Sequence, residues 1–269
     1  MKKFLVAICA VCLLISGCDD SEKVQKIGTI KYENVTEEAF NKFYAEDAER
    51  RNEKLNCEYI FFNNMNSMAA ALQSGQIDMM STYESVAHYI IARNNIVEIE
   101  EFKPVLTDVF CCAMRAEDVA LKKEFDAAIL KMANDGTLAD LVKTYINKRI
   151  HRETPSIIKM PAFYNDTMVK IGVTGDLPML DYIRPDGIPA GFNTAVLAEI
   201  SKHIEKNFTL VQINSGARAI ALSSGEVDVI FWAVVPQGNE ILPSNFDTPE
   251  GVILTEPYFS DKIVHVKLR

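Results

Sequence analysis

Ala71-Leu72-Gln73-Ser74-Gly75-Gln76-Ile77-Asp78 returns later in the chain as Ala221-Leu222-Ser223-Ser224-Gly225-Glu226-Val227-Asp228. In each copy a helix-compatible stretch runs into Ser-Gly, where glycine accepts the left-handed conformation that closes a helix. An apolar run follows the aspartate, Met79-Met80 in one copy and Val229-Ile230-Phe231-Trp232 in the other. Helix, glycine stop and buried strand are the parts of an α/β unit. Two copies therefore predict two similar α/β lobes.

Working outward from the first copy, residues 26–32 and 58–62 read as strands. A helix capped by Thr36 runs between them to about Leu55, and 68–74 is the helix of the repeat. Residues 85–93 have helical spacing, 109–114 are apolar and strand-like, and helices follow at 122–134 and 138–148. Pro155 and Pro161 lie in a stretch without period, 149–167. Beyond it come a strand at 169–173, a helix at 191–206 and a strand at 208–213. The second repeat helix at 217–223 and strands at 227–235, 252–254 and 262–267 complete the chain.

The N-terminus predicts an address. Lys2 and Lys3 precede a short apolar stretch at 4–15, and Ser16-Gly17 precede Cys18. A spanning helix needs roughly 20 apolar residues, so this run is a signal-peptide core. Ile15-Ser16-Gly17-Cys18 resembles a bacterial lipobox, which implies a signal peptide at 1–17, a lipid anchor on Cys18 and a polar tether at 18–26. An ordinary signal peptide with an incidental cysteine is the alternative. The remaining chain is long enough for a sizeable core. The net charge of -9 over the whole sequence argues against nucleic acid as a partner. Cys57, Cys111 and Cys112 are left; their pairing stays open, although Cys111 and Cys112 read as small buried hydrophobes. No metal-ligand spacing joins them to His88, His151, His203 or His265, and no Ser/His/Asp arrangement is present. Neither a metal, a cofactor nor an enzymatic activity is expected.

At several of these places the chain resembles the family 3 extracellular solute-binding proteins, the amino-acid-type receptors of ABC importers. Ile171-Gly172-Val173 with Gly175-Asp176-Leu177-Pro178 is similar to the family's opening strand and ligand loop. Gly191-Phe192-Asn193, the repeat at 221–228 and Glu256-Pro257-Tyr258-Phe259 follow further family motifs. Gly136-Thr137-Leu138-Ala139-Asp140-Leu141 resembles a signature that lies near the family's C-terminus. The resemblance implies an α/β, two-lobed periplasmic-binding-protein type 2 fold with a hinge between the lobes. The order of its parts is inverted: residues 24–108 resemble the second lobe, 109–148 the hinge strand and closing helices, and 168–269 the first lobe, with 149–167 as linker. A circular permutation accounts for this order; two tandem incomplete domains are the alternative.

The resemblance implies an extracytoplasmic, lipid-anchored monomer. It would capture a small polar, anionic or amino-acid-like solute between its lobes for an ABC-transporter permease or a sensor. Four segments are expected to face the cleft: 31–36, 81–85, 176–182, and 232–237 with the helix start at Arg218. From them Lys31, Tyr32, Asn34, Thr36, Tyr83, Glu84, Asp176, Leu180, Tyr182, Arg218, Trp232 and Gln237 are the candidate ligand-binding residues. Departures from the family pattern bear on the ligand. Its usual aromatic falls at Leu180, its carboxylate-clamping arginine near Glu240, and its ammonium-pairing aspartate at Tyr83. Arg218 and Lys31 are the cations left to meet an anion. Two other readings stay open: a ligandless interaction domain, and a dehydratase-like enzyme using Glu84 with Lys31.

Overall fold

The two copies of the repeat occupy equivalent places in one curled sheet. A computed structural model describes residues 23–100, 106–147, 157–164, 167–237 and 242–269. The signal segment, Cys18, Glu240 and much of the linker lie outside the described residues. No helix among the described residues is long and apolar enough to cross a membrane.

The first half contains strand β1 (Gln25–Ile30), helix α1 (Glu37–Arg50), β2 (Cys57–Phe62), α2 (Met65–Gln73), β3 (Met79–Tyr83), α3 (Glu84–Ile91) and β4 (Val97–Glu100). Thr36 caps α1 by accepting the Ala39 N–H, and Glu37 and Glu38 face the positive end of the helix dipole. The helix ends at Arg50, short of the expected Leu55, because Asn52 takes a left-handed φ of 55°. Asn64 caps α2 in the same way. Strand β5 (Thr107–Arg115) then leaves this half, followed by α4 (Val119–Asn134), the short α5 (Thr137–Leu141) and a π-helical turn, Val142–Asn147. The single helix expected at 138–148 is thus divided.

The second half runs β6 (Met168–Val173), three small strands β7 (Asp176–Leu177), β8 (Asp181–Ile183) and β9 (Pro189–Ala190), α6 (Phe192–Ile204) and β10 (Asn207–Gln212). Then come α7 (Arg218–Ser223), β11 (Val229–Gln237), β12 (Val252–Leu254) and β13 (Phe259–Leu268).

The sheet order is β10-β6-β11-β5-β13-β3-β1-β2. Each half is three parallel strands closed by one antiparallel strand, and the closing strands are exchanged. β5 follows the first half in the chain but pairs with β11; β13 follows the second half but pairs with β3. β5 and β13 pair with each other where they cross, placing Asp108 opposite Asp261. Helix α4 follows β5 into the second half, where Phe125 stacks on Phe208 and Glu124 pairs with Lys206.

Equivalence extends beyond the repeat. Lys26-Ile27-Gly28 on β1 corresponds to Lys170-Ile171-Gly172 on β6. Asp78 accepts the Lys26 N–H and Asp228 the Lys170 N–H, each at 2.9 Å. The repeat's aspartate therefore ties the glycine turn to the first strand of its own half. Gly28 and Gly172 sit where side chains press onto the strand: an added Cβ would lie 2.6 Å from Ile77 Cδ1 and 2.8 Å from Ile213 Cδ1, respectively. This second correspondence went unread in the sequence because a three-residue match has no weight until the strands are superposable.

Cys111 and Cys112 are buried on β5 and unpaired, and Cys57 is also unpaired. Burial pushes the Cys111 thiol up to about 12 and Cys112 well above the usual thiol range, so both pack as small apolar groups.

Candidate functional site

The ends of β1, β3, β11 and the loop after β6 converge where the halves face each other. Lys31, Tyr32, Ser81, Thr82, Tyr83, Leu177, Arg218 and Trp232 line one cavity there, so all four expected segments contribute. Asp108 and Thr29 complete its polar wall. The space left is about 30 Å³, room for about one water and too small for an amino acid.

Arg218 decides this geometry. It is 2% exposed, and its guanidinium is consumed by protein groups: Nε donates to Ser215 O (3.1 Å), Nη1 to Trp232 O (2.8 Å) and Nη2 to Lys31 O (3.1 Å). Its Nη1 also lies 3.2 Å from Glu33 Oε1, a charge contact whose angles fall short of a hydrogen bond. The guanidinium carbon stands 4.8 Å from the Trp232 ring centre. Trp232 makes this possible through a backbone φ of 88° at a bulge in β11 against β5, which turns its carbonyl toward the arginine. Arg218 is in the cleft as expected, but it joins the lobes instead of presenting donors to an anion.

Lys31 and Tyr32 diverge. Lys31 is exposed and keeps its ammonium at the cavity edge, close to Gly216. Tyr32 turns into an aromatic group with Phe40, Phe61 and Phe246, and burial raises its phenol well above 10. Tyr83 is buried and donates from Oη to Asp108 Oδ2 at 2.9 Å, which makes it a wall of the cavity. Asp176 lies across the mouth and accepts the Met65 N–H at the start of α2 (2.5 Å), a second contact between halves. Beside it Asn63, Asn64, Gln212 and Asn214 line a groove of about 320 Å³ that opens to solvent.

The remaining candidates have other tasks. Leu180 is 1% exposed and belongs to the core under α6. Thr36 is spent on capping α1. Asn34 binds the 242–251 segment, donating its N–H to Asp247 (3.0 Å) and its side chain to Phe246 O (3.3 Å). Tyr182 pairs with Asp176 on the small sheet. Gln237 ends β11 beside Thr107, away from the cavity. Glu84 sits 3.7 Å from Lys262 on β13 and does not line the cavity with Lys31, so the pair expected of an enzyme is not assembled.

Three acidic residues at the centre were passed over in the sequence: Glu33, Asp108 and Asp247. Asp108 carried a signal, a charge heading an otherwise apolar strand. Burial pushes its carboxyl up to about 6, with the negative charge of Asp261 adding to the rise. Asp261 is raised to about 6, chiefly by burial, while bonds from Ser85 hold it down. Asp181 is a fourth: its Oδ2 accepts from Thr174 N–H, Thr174 hydroxyl and Gly175 N–H, fixing the loop after β6.

Solved structures to which the chain is similar include the ligand-binding component of an ABC-type import system from Staphylococcus aureus with zinc bound. It is 13% identical at a TM-score of 0.43, and the match covers 92% of this chain and 66% of that one. A nutrient-binding protein from Burkholderia cenocepacia bound to methionine is 15% identical, with 91% and 85% covered and a TM-score of 0.42. An ancestral arginine-binding protein bound to arginine is 14% identical, with 91% and 84% covered and a TM-score of 0.39. No curated protein matches the chain. Over residues 169–238 the sequence matches the bacterial extracellular solute-binding proteins, family 3, the family that its motifs resemble.

Proposed function

We propose that the protein is an extracytoplasmic solute-binding module, anchored through lipid on Cys18, that captures a small polar solute between its lobes for a transporter or sensor. The observation that carries this reading is the exchange of β5 and β13. These strands join two equivalent halves whose strand ends face one cavity, the arrangement in which lobes open and close about a hinge. Lys31 is the exposed cation at that cavity, which supports a solute carrying an anionic group. Dialysis of the protein against a metabolite mixture, followed by mass spectrometry of the bound fraction, tests the reading. Binding confined to the folded state at 100 times the dissociation constant adds about 2.7 kcal/mol of stability, visible as a rise in melting temperature.

A ligandless interaction domain is the second reading. It draws support from the commitment of Arg218 to internal partners and from the small residual space. A mixture from which the protein retains nothing would favour it.

We further infer a circular permutation. The exchanged strands and the proximity of Gln25 and Leu268, which border one surface depression, support it. A rearranged chain that starts at residue 168 and joins 269 to 23 should fold with an unchanged far-ultraviolet spectrum. Failure to fold would argue against the permutation.

A further inference from the structure

The segment 242–251 starts and ends in the second half of the sheet, between β11 and β12, yet it packs on the first half. Leu242 and Phe246 are buried with Ile27, Phe40, Tyr59 and Met79. The Phe246 ring meets Tyr32 edge-on with centres 4.9 Å apart. The next residue, Asp247, is 4% exposed, and its Oδ1 accepts the consecutive N–H groups of Glu33 (2.5 Å) and Asn34 (3.0 Å). Two adjacent N–H groups aimed at one oxygen are a small anion cradle, filled here by the chain's own carboxylate. Glu33 in turn faces Arg218 from the opposite half.

Two buried carboxyls therefore stand near one guanidinium, Glu33 in contact with it and Asp247 within reach of its charge. Burial lifts the Asp247 carboxyl well above the usual range, the charge of Glu33 lifts it further, and Arg218 opposes both. Glu33 Oε1 and Asp247 Oδ2 have no hydrogen-bond donor, so part of their desolvation goes uncompensated. A contact of this kind joins the halves while retaining a reason to open. The closed arrangement leaves about 30 Å³ in the central cavity, room for about one water.

We propose that residues 242–251 form an internal strap: Phe246 and Asp247, docked on the first lobe, hold the lobes closed against solute, and solute entry requires their release. Closure by the strap stands independently of the solute-binding reading, which enters only in naming what is kept out.

Trp232 is the only tryptophan and lines the cavity at 4% exposure, so its fluorescence reports opening in the full-length chain. Phe246→Ala removes the apolar anchor, and Asp247→Ala removes the acceptor of the Glu33 and Asn34 N–H groups. In each variant that keeps the wild-type far-ultraviolet spectrum, Trp232 emission should shift to the red. Its acrylamide quenching constant should rise several-fold over wild type. Wild-type emission and quenching in a folded Asp247→Ala and a folded Phe246→Ala would overturn the strap. If Phe246→Ala does not fold, Asp247→Ala alone decides. The metabolite mixture is then applied to wild type and variant. Tighter retention by the variant supports a gate; equal retention overturns the gate. Retention by neither, with the fluorescence shift present, removes the solute-binding reading and leaves the strap.

Discussion

Glu33 and Arg218 come from opposite lobes and meet 3.2 Å apart with side chains 1% and 2% exposed. Removing one partner of such a pair leaves an uncompensated buried charge, which costs about 3–5 kcal/mol. Arg218→Ala should therefore lower the unfolding free energy by that amount, because Glu33 and Asp247 would both remain buried without their cation. A solvated arginine would cost within about 0.5 kcal/mol on replacement. Urea denaturation of the two proteins separates these outcomes.

Asp108 and Asp261, directly opposite on the crossing strands, make stability depend on pH. Both carboxyls are raised from 3.8 to about 6 in the folded protein. A raised carboxylate pKa means that the folded state holds its proton longer. The stabilisation is complete below about pH 4 and is lost as pH rises to about 6. A shift of about two units corresponds to roughly 3 kcal/mol for each group as an upper bound. His265, held down to about 4 by burial, acts in the opposite sense: its contribution is present above 6.5 and lost as pH falls. The wild-type slope is thus a difference. Asp108→Asn with Asp261→Asn should reduce the fall between pH 4 and 6, to which the raised carboxyls of Glu33, Asp176, Asp181 and Asp247 also contribute, and leave the His265 rise, measured by denaturation at each pH.

Gly28 and Gly172 should respond alike to a methyl group. A Cβ at Gly28 meets Ile77, Met68 and Phe62 between 2.6 and 3.0 Å, and one at Gly172 meets Ile213, Ile230 and Val227 between 2.8 and 3.3 Å. Overpacking of this kind costs typically 1–3 kcal/mol. Gly28→Ala and Gly172→Ala should each lower the melting temperature. An unchanged melting temperature in either would mean that these side chains are not held against the strand as the structure has it.

Cys18→Ser should release the protein from membranes without unfolding it, since residues 18–26 read as tether. Fractionation followed by a thermal melt of the released protein checks both halves of the statement. Continued membrane partitioning would contradict an acyl anchor, which contributes about 0.8 kcal/mol for each buried CH₂.

Local chemistry made much of the fold legible. The repeat at 71–78 and 221–228 announced two equivalent units because a glycine stop between helix and strand is a near-neighbour requirement: Gly75 and Gly225 take φ of 72° and 74°. Thr36 marks its helix start for the same reason, since the cap bond reaches only a few residues along the chain, whereas the Asn64 cap was not read and the helix expected from 68 starts at Met65. The four segments expected at the cleft were named from the two-lobed fold that the family resemblance implies. The small strands β7–β9 were missed because two or three residues carry no period.

What the sequence by itself determined is thus whatever a short stretch decides: the strand and helix types, the glycine turns and which loops face inward. Only the tertiary structure decided what those loops do. Arg218 reads identically as a surface cation, a ligand clamp or a lobe-to-lobe contact. The choice was made by Glu33 at the far end of the chain, by the Lys31 carbonyl and by the Trp232 carbonyl turned inward at a bulge. Asp247 looks like a loop carboxylate until two N–H groups, more than two hundred residues away in sequence, close on it. Burial converts such residues from solvated charges into structural ones, and burial is a property of the folded chain as a whole.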